Sequence, residues 1–363
     1  MAAQTERIVS LQILRFVAAA MVVAFHATCL ASGGASRSCA NANIGAAGVD
    51  IFFVLSGFVI ALTGPLASPR PSGAMFFWRR WRRVAPIYYI LTLPLIAAAA
   101  WAGKLDGSKL IATFLFWPAA GPMVVTPYLE AGWTLGFEMI FYSAVALALI
   151  GGRLRRNLLF IVATLGAIIV GWRLTGWSSV RILASPALIE FATGAGLAAL
   201  WPWLRRANVA FGAALTGLSL GLFAAVALSG AASVIYFRYA LDPDYNGALL
   251  RVVLCGGPAA LLVAGAAICN RVLAGRAAAA LGFLGDASYS TYLTHQMALA
   301  FLAPVARLAV GEHPLAQAAL LIVLALAVRA LTYVMIERPI LRDLKRLSVP
   351  WPPWRPAAVE TPT

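Results

Sequence analysis

Charge is scarce in this chain, and acid is scarcer than base: Asp, Glu, Lys and Arg make up 11% of the 363 residues, with 13 acidic side chains against 28 basic ones. So small a polar fraction cannot cover the surface of a water-soluble domain of this size. Histidine is nearly missing. His26, His295 and His313 are the only three, which leaves little from which to build a buried transition-metal centre, and no metal is expected. The four cysteines form no CxxC pair, and neither a GKS or GKT phosphate loop nor an HExxH motif occurs. Those absences argue against dithiol redox chemistry, P-loop nucleotide hydrolysis and zincin proteolysis.

What the chain has instead is apolar length, with 62% hydrophobic residues and a mean hydropathy of +0.85. Runs long enough to cross about 30 Å of hydrocarbon recur along it, each closed by Gly, Pro or a charge cluster. They predict an all-α polytopic membrane protein of about ten transmembrane helices, over 8–29, 46–64, 84–102, 132–151, 157–172, 182–203, 209–229, 248–269, 284–306 and 315–336. The apolar stretch 109–120 is too short to cross and reads as a re-entrant or interfacial helix. Residues 1–343 are expected to form one transmembrane domain and 344–363 a Pro-rich cytoplasmic tail. The first run carries Arg15 and His26 and reads as a retained helix rather than a leader.

A net charge of +15 would suggest nucleic acid in a soluble chain, but here the bases sit in short segments between apolar runs. Nucleic acid is therefore not expected, and the lipid bilayer is the obligatory partner. Arg79, Arg80, Arg82, Arg83, Arg153, Arg155, Arg156, Arg205, Arg206 and the cluster from Arg338 to Arg346 fall on one side. Their excess orients both termini to the cytoplasm. Cys255 and Cys269 lie within one span and read as packing residues, whereas Cys29 and Cys39 flank the first outer loop, where a disulfide is open in an oxidising compartment.

Charges inside apolar runs are costly and are functional candidates for that reason. Arg15 and His26 are separated by three turns, share one face of the first helix and lie about 16 Å apart along it. Asp50 opens the second helix across one outer loop from His26, where a carboxylate can orient an imidazole. Ser56 follows in the same helix. Arg79, Arg80, Arg82 and Arg83, interleaved with Trp78 and Trp81, satisfy the positive-inside rule, yet they also suit a ligand with phosphates and an aromatic base. Trp133 fits an interfacial belt, but Glu138 lies too deep for one and is a second candidate acid or base. Glu190, His295 and Glu337 can each be ordinary contacts between helices.

These motifs, in this order, resemble the acyltransferase 3 family of bacterial membrane O-acyltransferases. Arg15 and His26 match its R-x10-H signature, GVDIFFVLSGF (48–58) its second-helix motif, and Arg80 with Arg83 its RxxR pair. WTLGFE (133–138) resembles its W-S-L-x-x-E segment with Thr134 in place of Ser, and ASYSTYLTHQ and IERP resemble later landmarks. The resemblance implies transfer of an acyl group, usually acetyl, from cytoplasmic acetyl-coenzyme A to a hydroxyl of an exopolysaccharide, lipopolysaccharide or lipid-linked sugar outside the bacterial inner membrane. His26 would then act as general base oriented by Asp50, or as an acetyl carrier, with Arg15 stabilising oxyanion charge, Glu138 as the second acid or base, and Arg79, Arg80, Arg82 and Arg83 binding the coenzyme. Ser56, Trp133, His295 and Glu337 would serve substrate or structural contacts. A secondary transporter or flippase with a polar intramembrane cavity is the alternative, although the inverted repeats and paired broken helices of transporters are not visible.

Overall fold

The computed structural model describes residues 8–33, 43–64, 66, 71–117, 126–150, 185–231, 245–273, 282–283, 285 and 287–346. Among them every element is a helix or helical turn and no strand occurs, and nine helical stretches are long and apolar enough to cross a membrane. The predicted span 157–172, Cys39 and the tail from 347 lie outside the described residues.

Helix α1 is Val9–Ala31, and its 23 residues rise about 35 Å. A 3₁₀ turn, Asn43–Ala47, leads into α2, Gly48–Thr63. Helix α3, Gly73–Trp101, starts well before the predicted 84–102 because Ser72 caps it, its hydroxyl accepting from the Met75 amide at 3.2 Å. The Arg-rich run is therefore part of the helix and not a loop leading to it. Helix α4, Gly107–Leu115, has the Asp106 carboxylate as its cap and at nine residues is far too short to span.

Trp133–Ile150 forms α5, Ala187–Leu204 α6 and Val209–Leu228 α7. Tyr245–Arg251 (α8) passes through a π turn, Val252–Gly256, into α9, Gly257–Cys269. Ser288–Val310 is α10, and Pro314–Thr332 (α11) passes through a second π turn, Tyr333–Glu337, into α12, Arg338–Arg346. Arg251 precedes the first π turn and Glu337 ends the second, and both are buried charges, in keeping with the placement of such bulges at functional sites.

Lipid tails offer no hydrophobic drive between helices, so close packing must hold the bundle. Helix α2 is its centre and lies against α6 at backbone distance: a Cβ on Gly194 would stand 1.9 Å from Val54 O, and one on Gly57 2.0 Å from Phe191 O. Phe53 stacks on Phe191 with ring centroids 4.7 Å apart beside this contact. Helix α1 packs against α2, α10 and α11, while α3 packs against α5. At the other extreme α7 leaves Phe211, Leu218 and Leu220 exposed, a face for lipid. Cys29 is disulfide-bonded, and Cys255 and Cys269 are free.

Candidate active site

Polar side chains on α1, α2, α3, α5 and α10 converge inside the bundle. Arg15 of α1 is too costly to leave facing lipid, and its Nε donates to Ser288 Oγ at the start of α10 over 3.2 Å. Ser56 Oγ of α2 donates to Glu138 Oε1 of α5 over 3.1 Å. Tyr289 donates its hydroxyl to Val84 O at 2.7 Å and so ties α10 to α3.

Two cavities meet at these residues, and both are lined by Arg15, Ser56, Glu138 and Tyr289. From this waist one extends past Phe52, Phe53, Thr134 and Tyr292 to Val49. The other extends past Val59, Ile60 and Tyr142 to Arg80 and Arg83. Val49 and Ile60 are three turns apart on α2, so the two cavities together follow it for about 16 Å. Arg83 is exposed, whereas Arg80 is half-buried, donates to Thr63 Oγ1 and lies 5.6 Å from the centroid of the Phe76 ring. Arg79 and Arg82 line neither cavity. Of the four arginines only the i, i+3 pair therefore faces the opening. Trp78 stacks on Trp81 at 5.4 Å, which covers one face of each indole, and Trp81 also meets Tyr89 edge-on.

The arrangement offers a basic mouth suited to phosphates and a waist where a guanidinium stands beside a carboxylate bonded to a hydroxyl. The waist can polarise a carbonyl and accept a proton.

Asp50 departs from the expectation that it orients His26. It is buried, and both carboxylate oxygens are taken by Arg251, Nε to Oδ1 at 2.9 Å and Nη2 to Oδ2 at 2.6 Å. Arg251 also donates to Ala46 O at 3.2 Å. An acid this deep needs a cation, and Arg251, a basic residue within an apolar span, supplies it. Glu190 adjoins the pair and packs on Gly256, where a Cβ would stand 2.8 Å from Glu190 Oε1.

His26 faces α10, as its shared face with Arg15 requires, but it lines neither cavity. Helices α1 and α10 run in the same direction, so Arg15 meets Ser288 while His26 meets His295, ring centroids 5.0 Å apart. Glu337 is buried and anchors the start of α10, accepting from the Ser290 amide at 3.2 Å and from its hydroxyl. Trp133 packs on Phe53 and Phe137.

Sequence reasoning missed the cavity tyrosines Tyr142, Tyr289 and Tyr292, because a tyrosine in a span reads as a belt residue until its depth is known. No GxSxG elbow is expected from the sequence, although GLSLG (217–221) has that spelling. That run lies within α7, where Ser219 donates to Pro258 O at 2.7 Å and joins two helices, so it is no nucleophile elbow.

Comparison with known proteins gives these features a context. The family described as "Acyltransferase domain" matches residues 8–334. Exopolysaccharide production protein ExoZ of Rhizobium meliloti (strain 1021) is 33% identical over 308 residues, covering 82% of this chain and 90% of that protein. Acyltransferase MdmB of Streptomyces mycarofaciens is 26% identical over 343 residues, covering 84% and 82% respectively. No solved structure matches the chain.

Proposed function

The chain belongs to the acyltransferase 3 family and is a multi-pass membrane acyltransferase, and from that premise we propose that it moves an acetyl group from cytoplasmic acetyl-coenzyme A to a hydroxyl of an exported carbohydrate. The exopolysaccharide in the name of one relative makes a polysaccharide or its lipid-linked unit the preferred acceptor, and the membrane is the bacterial inner membrane. Both termini, and the Arg83 end of the cavities, are then cytoplasmic by the positive-inside rule.

One observation carries this reading: two cavities share a waist of Arg15, Ser56, Glu138 and Tyr289 and lead from it to Arg80 and Arg83. The coenzyme phosphates bind the two guanidinium groups, and the narrow thioester arm extends inward past the waist. From Thr63, bonded to Arg80, to Gly45, which abuts Met21 and Phe25, the chain rises about 27 Å. That is close to the roughly 30 Å of a bilayer core, so His26 stands near the opposite face. There His26 takes the proton of the acceptor hydroxyl as it attacks the thioester carbonyl, and the proton passes to the departing thiolate. Arg15 and Glu138 offer the neutral arm a donor and an acceptor where it passes the waist.

The test is transfer of radiolabelled acetyl from acetyl-coenzyme A into the carbohydrate fraction of membranes carrying wild type or His26→Ala. Label that depends on His26 is expected. Absence of label from folded wild type would overturn the acetyl donor and point to another acyl donor or to the transporter reading.

A further inference from the structure

Among the described residues His26 has no carboxylate partner of the kind a histidine base commonly has, since Asp50 is committed to Arg251. The group beside it is another histidine. His295 is buried at 3% exposure, and its Nδ1 is 2.6 Å from Tyr292 O. A carbonyl oxygen can only accept, so Nδ1 bears the hydrogen, and in the neutral ring Nε2 carries the lone pair. That Nε2 is buried and has no hydrogen-bond partner among the described residues. Buried acceptors are rarely left so, and the exceptions cluster where a partner arrives during function.

We propose that His295 is the positioning residue for His26: its Nε2 receives the N–H of the His26 ring, which leaves the other His26 nitrogen unprotonated as the base for the acceptor hydroxyl. The ring centroids are 5.0 Å apart and the planes 45° from parallel, a separation at which rotation about the outer side-chain torsion of His26 can bring a ring nitrogen to His295 Nε2. Only partly buried, His26 has room for that rotation, whereas His295 is fixed by the Tyr292 carbonyl. The side chain of Tyr292 lines the cavity, so the residue that sets the His295 tautomer also forms the wall along which substrate lies.

The inference rests on the acyl-transfer reading above. In the step it describes, the acceptor oxygen forms a bond to the acyl carbon and the carbon–sulfur bond breaks. The hydroxyl proton goes to the free nitrogen of His26, whose other N–H stays on His295 Nε2, and is then given to the thiolate. His295 gains and loses no proton.

The experiment measures kcat per folded protein, and the KM for acetyl-coenzyme A, in His295→Gln, His295→Met and His295→Asn, the last two each also combined with His26→Ala. Folded protein is scored by elution and thermal unfolding in detergent. A general base contributes about 10²–10⁴ in rate, so His295→Met is expected to lose at least about tenfold in kcat at unchanged KM. His295→Gln, whose Oε1 can accept, should keep most of it. His295→Asn is the second probe if the Met variant folds poorly, and its short amide, falling short of His26, should behave like Met. Adding either to His26→Ala should cost nothing more. Wild-type kcat in His295→Met or His295→Asn, or losses that multiply in the double variant, would overturn the dyad while leaving the reaction class intact. Loss of transfer by the wild type would instead overturn the reading beneath it.

Discussion

Arg83 and Arg79 lie one turn apart on α3 and are both exposed, yet only Arg83 reaches the cavity mouth. A hydrogen bond to a charged group contributes about 1.5–3 kcal/mol, or roughly 10–150-fold in affinity. If the mouth holds the coenzyme, Arg83→Ala should raise the KM for acetyl-coenzyme A by about that factor with little change in kcat, while Arg79→Ala changes neither. Equal behaviour of the two variants in the labelled-transfer assay would reduce the cluster to a topology signal. The contrast also marks how far single residues were legible. A charge inside an apolar run announces itself, so Arg15, His26, Asp50 and Glu138 could be named without a structure. Among the four arginines the family resemblance singled out Arg80 and Arg83, but that the whole run lies inside α3 rather than before it depends on one serine cap, Ser72.

Helices as wholes were the most legible part, since a run of 18 or more apolar residues has few alternatives in a membrane protein. Less visible was how they pack, because small residues permit close approach on many faces and only some are used. Gly194 and Gly196 lie two residues apart in α6. A Cβ on Gly194 would collide with the backbone of α2, while one on Gly196 meets nothing within 4 Å. Overpacking a tight contact costs about 1–3 kcal/mol, so Gly194→Ala is expected to lower the unfolding temperature in detergent by several degrees. Gly196→Ala should leave it unchanged, or raise it slightly through helix propensity. A destabilised Gly196→Ala beside an unaffected Gly194→Ala would mean that α2 and α6 do not meet as described. The π turns were not legible, because a single extra residue in a helix leaves the hydropathy pattern almost untouched.

For the whole molecule, the hardest feature to foresee was the ion pair joining α2 to α8, since Asp50 and Arg251 are 201 positions apart in the chain. The sequence gives each residue a reason to need a partner but does not say which partner. This pair is a lock between distant helices, and it also bears on whether Asp50 works in the reaction. Removing one member strands a buried charge and costs about 3–5 kcal/mol, whereas replacing both by apolar side chains of similar volume is often neutral. Arg251→Leu and Asp50→Leu should each strongly reduce the yield and unfolding temperature of the protein, and the double variant should recover much of both. If Asp50 acts only through Arg251, the folded double variant will transfer acetyl at a rate near that of wild type. A double variant that regains stability and remains inactive would return Asp50 to the chemistry, and would require the pair to open during turnover so that the carboxylate could reach His26.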